Sequence, residues 1–454
     1  MANNKDSLLK STSFWQHDYG HYTPNLSLVE NLKADVAIIG GGFTGLNTAW
    51  QFKKDNPNAR VVVLEADIIG FGASGRNAGF STKLFGMEPE MIVLRWGKQK
   101  MIDAHRYMNT AVAHTKNLIE QNGFQSDYSH SGMLAVSYAQ KQLQRIRKTY
   151  QLYQELGIDG GLTWVDKNRI QQEFYSDRII GGIYNTDTGT LNPCKQVREL
   201  KRLAESAMVK IFETSPVMNI EKTASAIILK TPNGQVTADK VVIATNAYTR
   251  QVPDARSLKN KQYPLWTYQV VTEPLTAAQW DSIGWKDRQA FGDNRHMLHY
   301  FRTTVDGRIT MGGGDAIAYK TGAKLEIPSP MNWEHCEAHL KWIYPQLKDL
   351  RIDYRWGGPV SVNADMAPEI SFIEDERIIY SGGCFGHGVS LSHLNGRTIA
   401  DLLNNNKTEL TDFWIVNRKC IPMPGDMLSF IGGQVARQAL KVGDWWEERN
   451  LKSR

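Results

Sequence analysis

The chain is 454 residues long, which exceeds the size at which one hydrophobic core stops growing, so the expectation is two domains. Hydrophobic residues make up 41% and charged residues 22%, as is typical of a globular enzyme. The net charge of +6 comes from 53 basic and 47 acidic residues scattered along the chain, and no basic block interleaves with aromatics, which excludes a nucleic-acid-binding surface.

The first predicted elements form a βαβ unit. Residues 1–33 are polar and carry no regular pattern, so we expect an irregular lead-in. The apolar run Asp35–Ile39 stops at three glycines, as a buried strand of a parallel sheet does. A helix is expected over Thr44–Lys53, and the run Val61–Glu65 predicts the next strand.

Later patterns alternate between strands and helices. A glycine-rich loop is expected over Gly70–Phe80, followed by helical patterns to about Gln121. Further strands are predicted at Gly132–Ser137, Gly181–Tyr184, within Val209–Val242, and at Tyr268–Thr272, His299–Phe301, Arg308–Gly312 and Ile378–Ser381. Further helices are predicted over Gln142–Leu156, Asn332–Pro345, Val389–Leu403 and Asp426–Arg449.

Cysteine usage and hydropathy indicate a cytoplasmic protein. The four cysteines lie far apart and form no CxxC pair, so we expect no metal site and no disulfide framework. The N-terminus has no apolar run followed by a cleavage site. No stretch approaches the roughly 20 apolar residues that span a bilayer.

The glycines after the first strand fit a dinucleotide-binding fingerprint. Gly40, Gly42 and Gly45 match GxGxxG between a strand and a helix, and Glu65 ends the next strand. Such a helix N-terminus offers free N–H groups and a partial positive charge to a pyrophosphate. Glu65 would accept hydrogen bonds from ribose hydroxyls and repel a 2′-phosphate, which disfavours NADP.

A second glycine-rich segment distinguishes FAD from NAD. The run GASGRNAG from residue 72 can wrap a long ligand with backbone N–H groups, and NAD domains have no need of it. Its side chains also offer hydrogen-bond donors. A flexible surface loop is the alternative.

Four segments in this order resemble the FAD-dependent amino-acid oxidase superfamily. They are DVAIIGGGFTGLNTAW from residue 35, GASGRNAGF from residue 72, VVIATNAYT from residue 241 and SGGCFGHGVS from residue 381. The superfamily includes D-amino-acid oxidases, glycine and sarcosine oxidases, and gamma-glutamylputrescine oxidoreductases. The second segment and LWTYQVVTEPL from residue 265 are most similar to the last branch.

The resemblance implies an α/β fold with a bound FAD. A Rossmann-like FAD-binding domain would interleave with an α+β substrate domain built on a mixed sheet. The expected boundaries are 30–100, 190–262 and 355–410 for the FAD-binding domain, 101–189 and 263–354 for the substrate domain, and 411–454 for a C-terminal amphipathic tail.

The resemblance also assigns residues to the cofactor. The Gly386–His387–Gly388 turn puts a second helix N-terminus in the interior, and the resemblance implies that it faces the flavin N1–C2=O edge. Val217 would contact the adenine, unless it is a plain core residue. The full expected set is Gly40, Gly42, Phe43, Thr44, Gly45, Glu65, Ala73, Ser74, Gly75, Arg76, Asn77, Gly79, Val217, Thr245, Asn246, Gly386, Gly388 and Val389.

Two departures from the sarcosine oxidase pattern concern the flavin. The cysteine that tethers the flavin there is matched here by Gly358, so we expect non-covalent FAD. The lysine after the second glycine of the GHG turn is matched by Ser390. The electron acceptor, O₂ or a quinone, is therefore left open.

The activity implied is oxidation of a small amine or amino acid at a C–N bond. Hydride would pass to flavin N5, and the imine would hydrolyse to a carbonyl compound and ammonia or an amine. Two alternatives are a flavoprotein of the same fold acting on a larger partner and a non-catalytic flavin-binding assembly protein.

The substrate pocket is expected on the second sheet, where aromatic walls hold an amine by cation–π contact. Arg302 would clamp a substrate carboxylate, unless it and the aromatics have structural roles. The catalytic candidates are His387, Arg302, Tyr300 and Trp356, with Trp266, Tyr268 and His299 beside them.

The tail carries an amphipathic pattern. Its basic residues and tryptophans are typical of a helix that lies on a membrane surface, where a quinone would accept electrons. We expect instead that its apolar stripe packs on the protein's own body or on a second subunit. The stripe is Leu428, Ile431, Val435, Leu440, Val442 and Trp446, with Phe430 and Trp445 beside it, and the cations are Arg437, Lys441, Arg449 and Lys452.

Overall fold

Two eight-stranded sheets, whose strands alternate along the sequence, organise the chain. The structure is a computed structural model that describes residues 13–253, 256–319, 333–449 and 451. The strands are β1 (Asn31–Ile39), β2 (Val61–Leu64), β3 (Phe80–Ser81), β4 (Met133–Ser137), β5 (Leu162–Asp166), β6 (Gly181–Asn185), β7 (Gly189–Thr190), β8 (Lys210–Phe212), β9 (Asn219–Lys222), β10 (Ile227–Lys230), β11 (Gln235–Ile243), β12 (Tyr263–Thr272), β13 (Ala290–Asp293), β14 (His299–Thr303), β15 (Ile309–Ala318), β16 (Ile352–Val362), β17 (Glu369–Ile373) and β18 (Asp375–Gly382).

Helices cover the faces of both sheets. They are α1 (Phe14–Tyr19), α2 (Phe43–Asp55), α3 (Ala73–Arg76), α4 (Pro89–Trp96), α5 (Lys98–Gln121), α6 (Gln140–Glu155), α7 (Lys167–Phe174), α8 (Pro193–Ser206), α9 (Ala277–Ile283), α10 (Glu334–Ile343), α11 (Gly388–Leu403) and α12 (Asp426–Glu448).

The first sheet is parallel at its centre. Its order is β17-β18-β11-β1-β2-β8, with β10 and β9 added beside β11. Strands β18, β11, β1, β2 and β8 run in one direction, and their apolar runs are buried on both faces. Helices α2, α5, α8 and α11 pack together beside it, which brings the N-termini of α2 and α11 to the carboxyl edge of the strands.

The second sheet is mostly antiparallel, in the order β16-β12-β15-β14-β13-β4-β6-β5. Side chains on its strands alternate between two faces. Trp266, Tyr268 and Phe301 lie in the core on one face, whereas Thr267 and Gln269 face the first sheet. This face closes the candidate site.

The predicted βαβ unit and most predicted strands and helices are present, with small shifts at their ends. The helix predicted from Asn332 begins at Glu334, and Asn332 lies outside the described residues. The short helix α3 interrupts the predicted glycine-rich loop, and β5, α7, β13 and the long strand β16 were not predicted. Of these four, the first three are too short for a clear pattern, and the Gly-Gly-Pro run at 357–359 interrupts the strand pattern of β16.

The domain boundaries stay a proposal, and two elements cross them. Strand β16 pairs with β12 in the second sheet, although residues from 355 onward were expected in the FAD-binding domain. Helix α5 packs on α11 beside the first sheet, although residues from 101 were expected in the substrate domain.

The expectation of an irregular lead-in is wrong for its described part. Helix α1 begins with a capping box in which Ser13 and Gln16 bond each other's backbone N–H groups. Phe14 and Trp15 are buried against α8 and against strands β12 and β16 of the second sheet. Residues 1–12 lie outside the described residues.

The predicted tail helix is present as α12 and is docked on the body, but its apolar stripe does not pack there as one expectation had it; packing of the stripe on a second subunit stays a prediction. Its polar side contacts β15 and α6, whereas most of the apolar stripe faces outward. Its buried residues are Ser429, Asp444 and Glu448. Asp444 and Glu448 meet polar partners on the body, whereas the Ser429 hydroxyl donates to Pro424 O just before the helix. Lys452 lies outside the described residues.

No helix among the described residues is long and apolar enough to cross a membrane.

Candidate active site

A cavity of about 430 Å³ lies between the two sheets. One wall comes from the first sheet's loops and helix N-termini, and the other from the cavity-facing side of the second sheet. Of the expected site residues, those on this cavity are Gly42, Phe43, Thr44, Ala73, Ser74, Asn77, Asn246, Tyr300, Gly386, His387, Gly388 and Val389.

The N-terminus of α2 forms the first anion-binding element of the wall. No side chain of its N-cap residue Gly42 covers the first turn, while Ser74 Oγ accepts a hydrogen bond from Phe43 N at 3.0 Å. A Cβ atom at Gly42 would lie 2.8 Å from Ser74 Oγ and would fill the approach to the helix end. The remaining N–H groups suit a pyrophosphate, as the fingerprint predicts.

The expected ribose partner, Glu65, lies beside this turn. Its carboxylate accepts hydrogen bonds from the backbone of Gly41 at 2.7 Å and of Asp67 at 3.0 Å, and burial raises its pKa. The backbone N–H of Ser215 donates to the Glu65 carbonyl, so the segment that carries Val217 runs alongside. These positions are compatible with the predicted contacts of Glu65 with the ribose and of Val217 with the adenine, and both contacts stay predictions.

The second helix N-terminus in the cavity belongs to α11. His387 is its N-cap, without a side-chain cap bond, and its backbone N–H donates to Cys384 O at 2.9 Å. Burial lowers the pKa of His387 to about 4, so the imidazole is neutral at pH 7. Its Nδ1 is buried without a recorded partner among the described residues, which leaves it available to a ligand.

The segment after β11 adds small polar groups. Asn246 lies in a left-handed backbone conformation with φ 42°, and its Oδ1 accepts from Ser361 Oγ at 2.5 Å. Its neighbour Thr245 is held instead by Thr249 at 2.9 Å between hydroxyls. Cys384 also lines the cavity, and burial raises the pKa of its thiol, so it is protonated at neutral pH.

The residues present fit FAD. Two helix N-termini without side-chain caps, the space kept open at Gly42 and the unpartnered imidazole nitrogen of His387 all converge on one elongated cavity. The position expected of a tethering cysteine, Gly358, lies against the side chain of Arg76.

Two expected catalytic residues, Arg302 and Trp356, do not line the cavity and lie behind its wall. Arg302 Nη2 donates to Leu191 O at 2.8 Å, and its guanidinium lies 4.7 Å from the ring centre of Trp15. Trp356 Nε1 donates to Arg76 O at 2.9 Å, and its ring also packs on Trp15. Helix α1 covers both side chains through Trp15, so their catalytic roles stay predictions that this placement does not support.

Three further pocket candidates face away from the cavity because of strand alternation. Trp266 and Tyr268 belong to the core on the far side of β12, where Tyr268 packs edge-on against Trp333. His299 stacks on His339 with ring centres 4.0 Å apart. On these strands the cavity-facing residues are Thr267, Gln269 and Tyr300.

Only part of the glycine-rich segment from residue 72 lines the cavity. Ala73, Ser74 and Asn77 line the cavity, and Asn77 Oδ1 accepts from Gly79 N at 2.7 Å, which shapes the loop. The guanidinium of Arg76 turns into the protein, where its Nε donates to Phe71 O at 2.8 Å. The Arg76 guanidinium therefore stabilises the loop, and a cofactor contact of Arg76 stays a prediction.

Sequence reasoning missed the far end of the cavity. There the lining includes Lys83, Glu88, His105 and Tyr153, and the end of β13 adds Asp293. These residues come from separate segments without a common motif, so only the fold brings them together.

Asp293 is fixed by two buried histidines. Its carboxylate accepts from His299 N at 2.9 Å and lies 3.2 Å from His339 Nε2. Hydrogen bonds from both imidazoles outweigh burial and hold its pKa below the ordinary range. The three side chains are close enough to hold a cation, but Arg295 lies 3.4 Å from His299 Nδ1 and opposes one.

The sequence is similar to that of FAD-dependent oxidoreductases. Residues 35–402 match the family model described as "FAD dependent oxidoreductase". The chain is 30% identical to gamma-glutamylputrescine oxidoreductase of Escherichia coli over 421 residues, which cover 91% of this chain and 93% of that protein.

Solved structures share the fold. Glycine oxidase from Geobacillus kaustophilus superposes with a TM-score of 0.72 at 19% identity, covering 86% of this chain and all of the other. L-proline dehydrogenase from P. horikoshii gives a TM-score of 0.71 at 21% identity, covering 88% of this chain and 99% of the other.

Proposed function

This chain belongs to the DAO family of FAD-dependent oxidoreductases, and on that premise we propose that its substrate is a long primary alkylamine rather than an α-amino acid. The activity itself is oxidation of a C–N bond in a small amine or amino acid, with FAD as the cofactor. When bound, FAD accepts the hydride from the carbon next to nitrogen. The chain's residues bind and orient both partners and exclude water from the site.

The observation that carries the proposal is the charge of the cavity. No arginine lines it among the described residues, because Arg302 is covered by α1. Its lysine, Lys83, is already paired with Asp187 at 2.7 Å. A carboxylate next to the reacting carbon would therefore find no free cationic partner, and burying it unpaired is costly.

An acidic group at the far end favours a substrate with a second nitrogen. Glu88 lines the cavity, and its carboxylate has no hydrogen bond or ion pair with other described residues. The Glu88 side chain is exposed to solvent, so it lies where the cavity opens to water, and partial desolvation by the surrounding protein, and then the neighbouring Glu90, raise its pKa. A cationic or N–H-bearing group of the substrate would satisfy this carboxylate, and the name of the 30% identical relative, gamma-glutamylputrescine oxidoreductase, includes such an amine.

The reacting end is built for a neutral amine. Tyr300 and the uncharged His387 face the cavity between the two sheets. A neutral imidazole does not repel the amine, and its Nδ1 can accept or donate a hydrogen bond according to tautomer. We assign His387 and Tyr300 to orientation of the substrate nitrogen and its carbon.

We further propose that the protein works in the cytoplasm and passes electrons to O₂ or a quinone. Support for the compartment comes from the four free cysteines. The structural neighbours include one protein named an oxidase and one named a dehydrogenase, which keeps both acceptors in the proposal.

Anaerobic bleaching of the bound flavin tests the substrate class. We expect rapid bleaching by 1,4-diaminobutane acylated on one nitrogen and slow or no bleaching by glycine, proline and D-alanine. The rate should rise about tenfold per pH unit between pH 7 and 9, because only the neutral amine reacts and alkylamines have pKa values near 10. Faster bleaching by any α-amino acid would overturn the proposal.

A pair of variants tests the far end of the cavity. Glu88→Gln should raise KM for the acylated diamine about tenfold with little change in kcat, because the group acts on binding and not on the reacting carbon. Glu90→Gln is the matched control, since its carboxylate already accepts from Thr149 Oγ1 at 2.5 Å. Equal kinetics in both variants would remove Glu88 from the proposal.

A further inference from the structure

Helix α12 presents an apolar face that nothing in the described structure covers. Across 23 residues, side chains spaced three, four or seven apart point away from the body. Met427, Leu428, Ile431, Val435, Val442, Trp445 and Trp446 are each between 48% and 74% exposed. Contiguous apolar surface of this kind marks an interaction site.

The helix is held to the body by charge and not by apolar burial. Arg437 and Lys441 both pair with Asp315, and Asp426 pairs with Arg250. The remaining acids also turn inward, Asp444 to the backbone N–H groups of residues 296 and 297, Glu447 to Arg145 and Glu448 to Arg295.

This inward pairing leaves the outward face without a carboxylate. At its C-terminal end two cations border the tryptophans: Lys141 Nζ lies 5.3 Å from the ring centre of Trp446, and the Arg449 guanidinium lies 3.8 Å from it. Tryptophan flanked by exposed cations is the composition that sits at the level of lipid headgroups.

We propose that this outward face of α12 lies on the surface of an anionic lipid bilayer, parallel to the membrane plane. A 23-residue helix is about 35 Å long, so the apolar face is an extended line that matches a flat interface. Lys141 and Arg449 complement anionic headgroups.

A second copy of the chain fits this face less well. In a two-fold contact the same face meets itself, so both cationic ends would be covered by a surface that offers no carboxylate among the described residues. Burying these unpaired cations would oppose the apolar gain.

Sedimentation with vesicles tests the proposal without reference to activity. We expect the full-length holoprotein to pellet with vesicles of phosphatidylcholine containing about 30% phosphatidylglycerol, and less with phosphatidylcholine alone. The double variant Ile431→Asp with Val442→Asp should reduce the bound fraction at least tenfold. Val305→Asp is the matched control, since Val305 is 81% exposed on a different surface.

Three further readouts make each outcome decisive. FAD content and the melting temperature should be the same in both variants, and anaerobic bleaching by the amine should be unchanged, which separates this inference from the proposed substrate. No binding of the wild type, or equal binding of the double variant, would overturn the proposal. A dimer in size-exclusion chromatography with light scattering that the double variant abolishes, together with absent vesicle binding, would assign the face to a second copy instead.

Discussion

Gly42 is the residue on which cofactor binding depends most directly. It caps α2, lines the cavity and faces Ser74 Oγ, which in turn holds the first N–H of the helix. Any side chain there would displace Ser74 and occupy the space in front of the free N–H groups. Steric exclusion therefore acts on the ligand and on the loop that wraps it.

We expect Gly42→Val to purify without FAD, because the added methyl groups have no space between Ser74 and the ligand. The measurement is the flavin absorbance of purified protein, with total FAD determined after acid release, which a non-covalent flavin permits. Gly160→Val is the control, because a Cβ there meets nothing within 4 Å. A full complement of FAD in Gly42→Val would contradict the assigned site.

The site residues that could be predicted from the sequence are those whose type is dictated by the backbone geometry of their own turn. The spacing of Gly40, Gly42 and Gly45 predicts a helix N-terminus in the site because the turn geometry itself demands small residues. The aromatic and cationic candidates on the second sheet depend instead on which face each strand turns to the cavity. Tyr300 and Arg302 share a face, yet only Tyr300 reaches the cavity, because α1 covers the next position.

At the scale of elements, α1 is a small helix with a disproportionate structural role. Trp15 fills the space between Arg302 and Trp356, and Ser13 Oγ donates to Gly75 O at 3.2 Å in the cofactor-wrapping segment. The helix has only six residues, so its apolar pattern is too short to recognise. The capping-box spacing of Ser13 and Gln16 was the signal available in the sequence.

Replacement of Trp15 by alanine should destabilise the protein by about 3–5 kcal/mol, because a buried aromatic is lost and the site cannot collapse. FAD retention should also weaken, since α1 supports the loop that carries Ser74. Thermal unfolding of holoprotein and the fraction of flavin retained after gel filtration measure both effects.

Leu26→Ala provides the comparison for Trp15. Leu26 is 86% exposed, so its truncation should change stability by no more than about 0.5 kcal/mol. An unfolding midpoint of Trp15→Ala equal to that of Leu26→Ala would show that α1 does not stabilise the packing of α8 against the second sheet.

At the scale of the whole molecule, neutral histidines are built into the core around the site. His393 on α11 is enclosed with its Nδ1 2.6 Å from Val389 O and its Nε2 2.9 Å from Gln196 Nε2, which fixes one neutral tautomer. Burial lowers its pKa to about 4, and the same cause lowers the pKa of His387, His105 and His114 to about 4.

These histidines predict a loss of stability in acid. Their pKa values in the folded protein lie below the ordinary value of 6.5, so between pH 6.5 and about 4 the unfolded chain binds protons that the native protein does not. Each such histidine lowers the free energy of unfolding by roughly 1.4 kcal/mol per pH unit as pH falls through this window. The melting temperature should therefore drop steeply from pH 6.5 to 4.5 and change less between pH 6.5 and 8. His393→Gln should make this slope shallower by about one proton even if it lowers the midpoint at every pH. Leu26→Ala, which changes an exposed side chain that binds no proton, should leave the slope as in the wild type. A flat profile in acid, or equal slopes for the wild type and His393→Gln, would show that these side chains are already protonated in the folded protein.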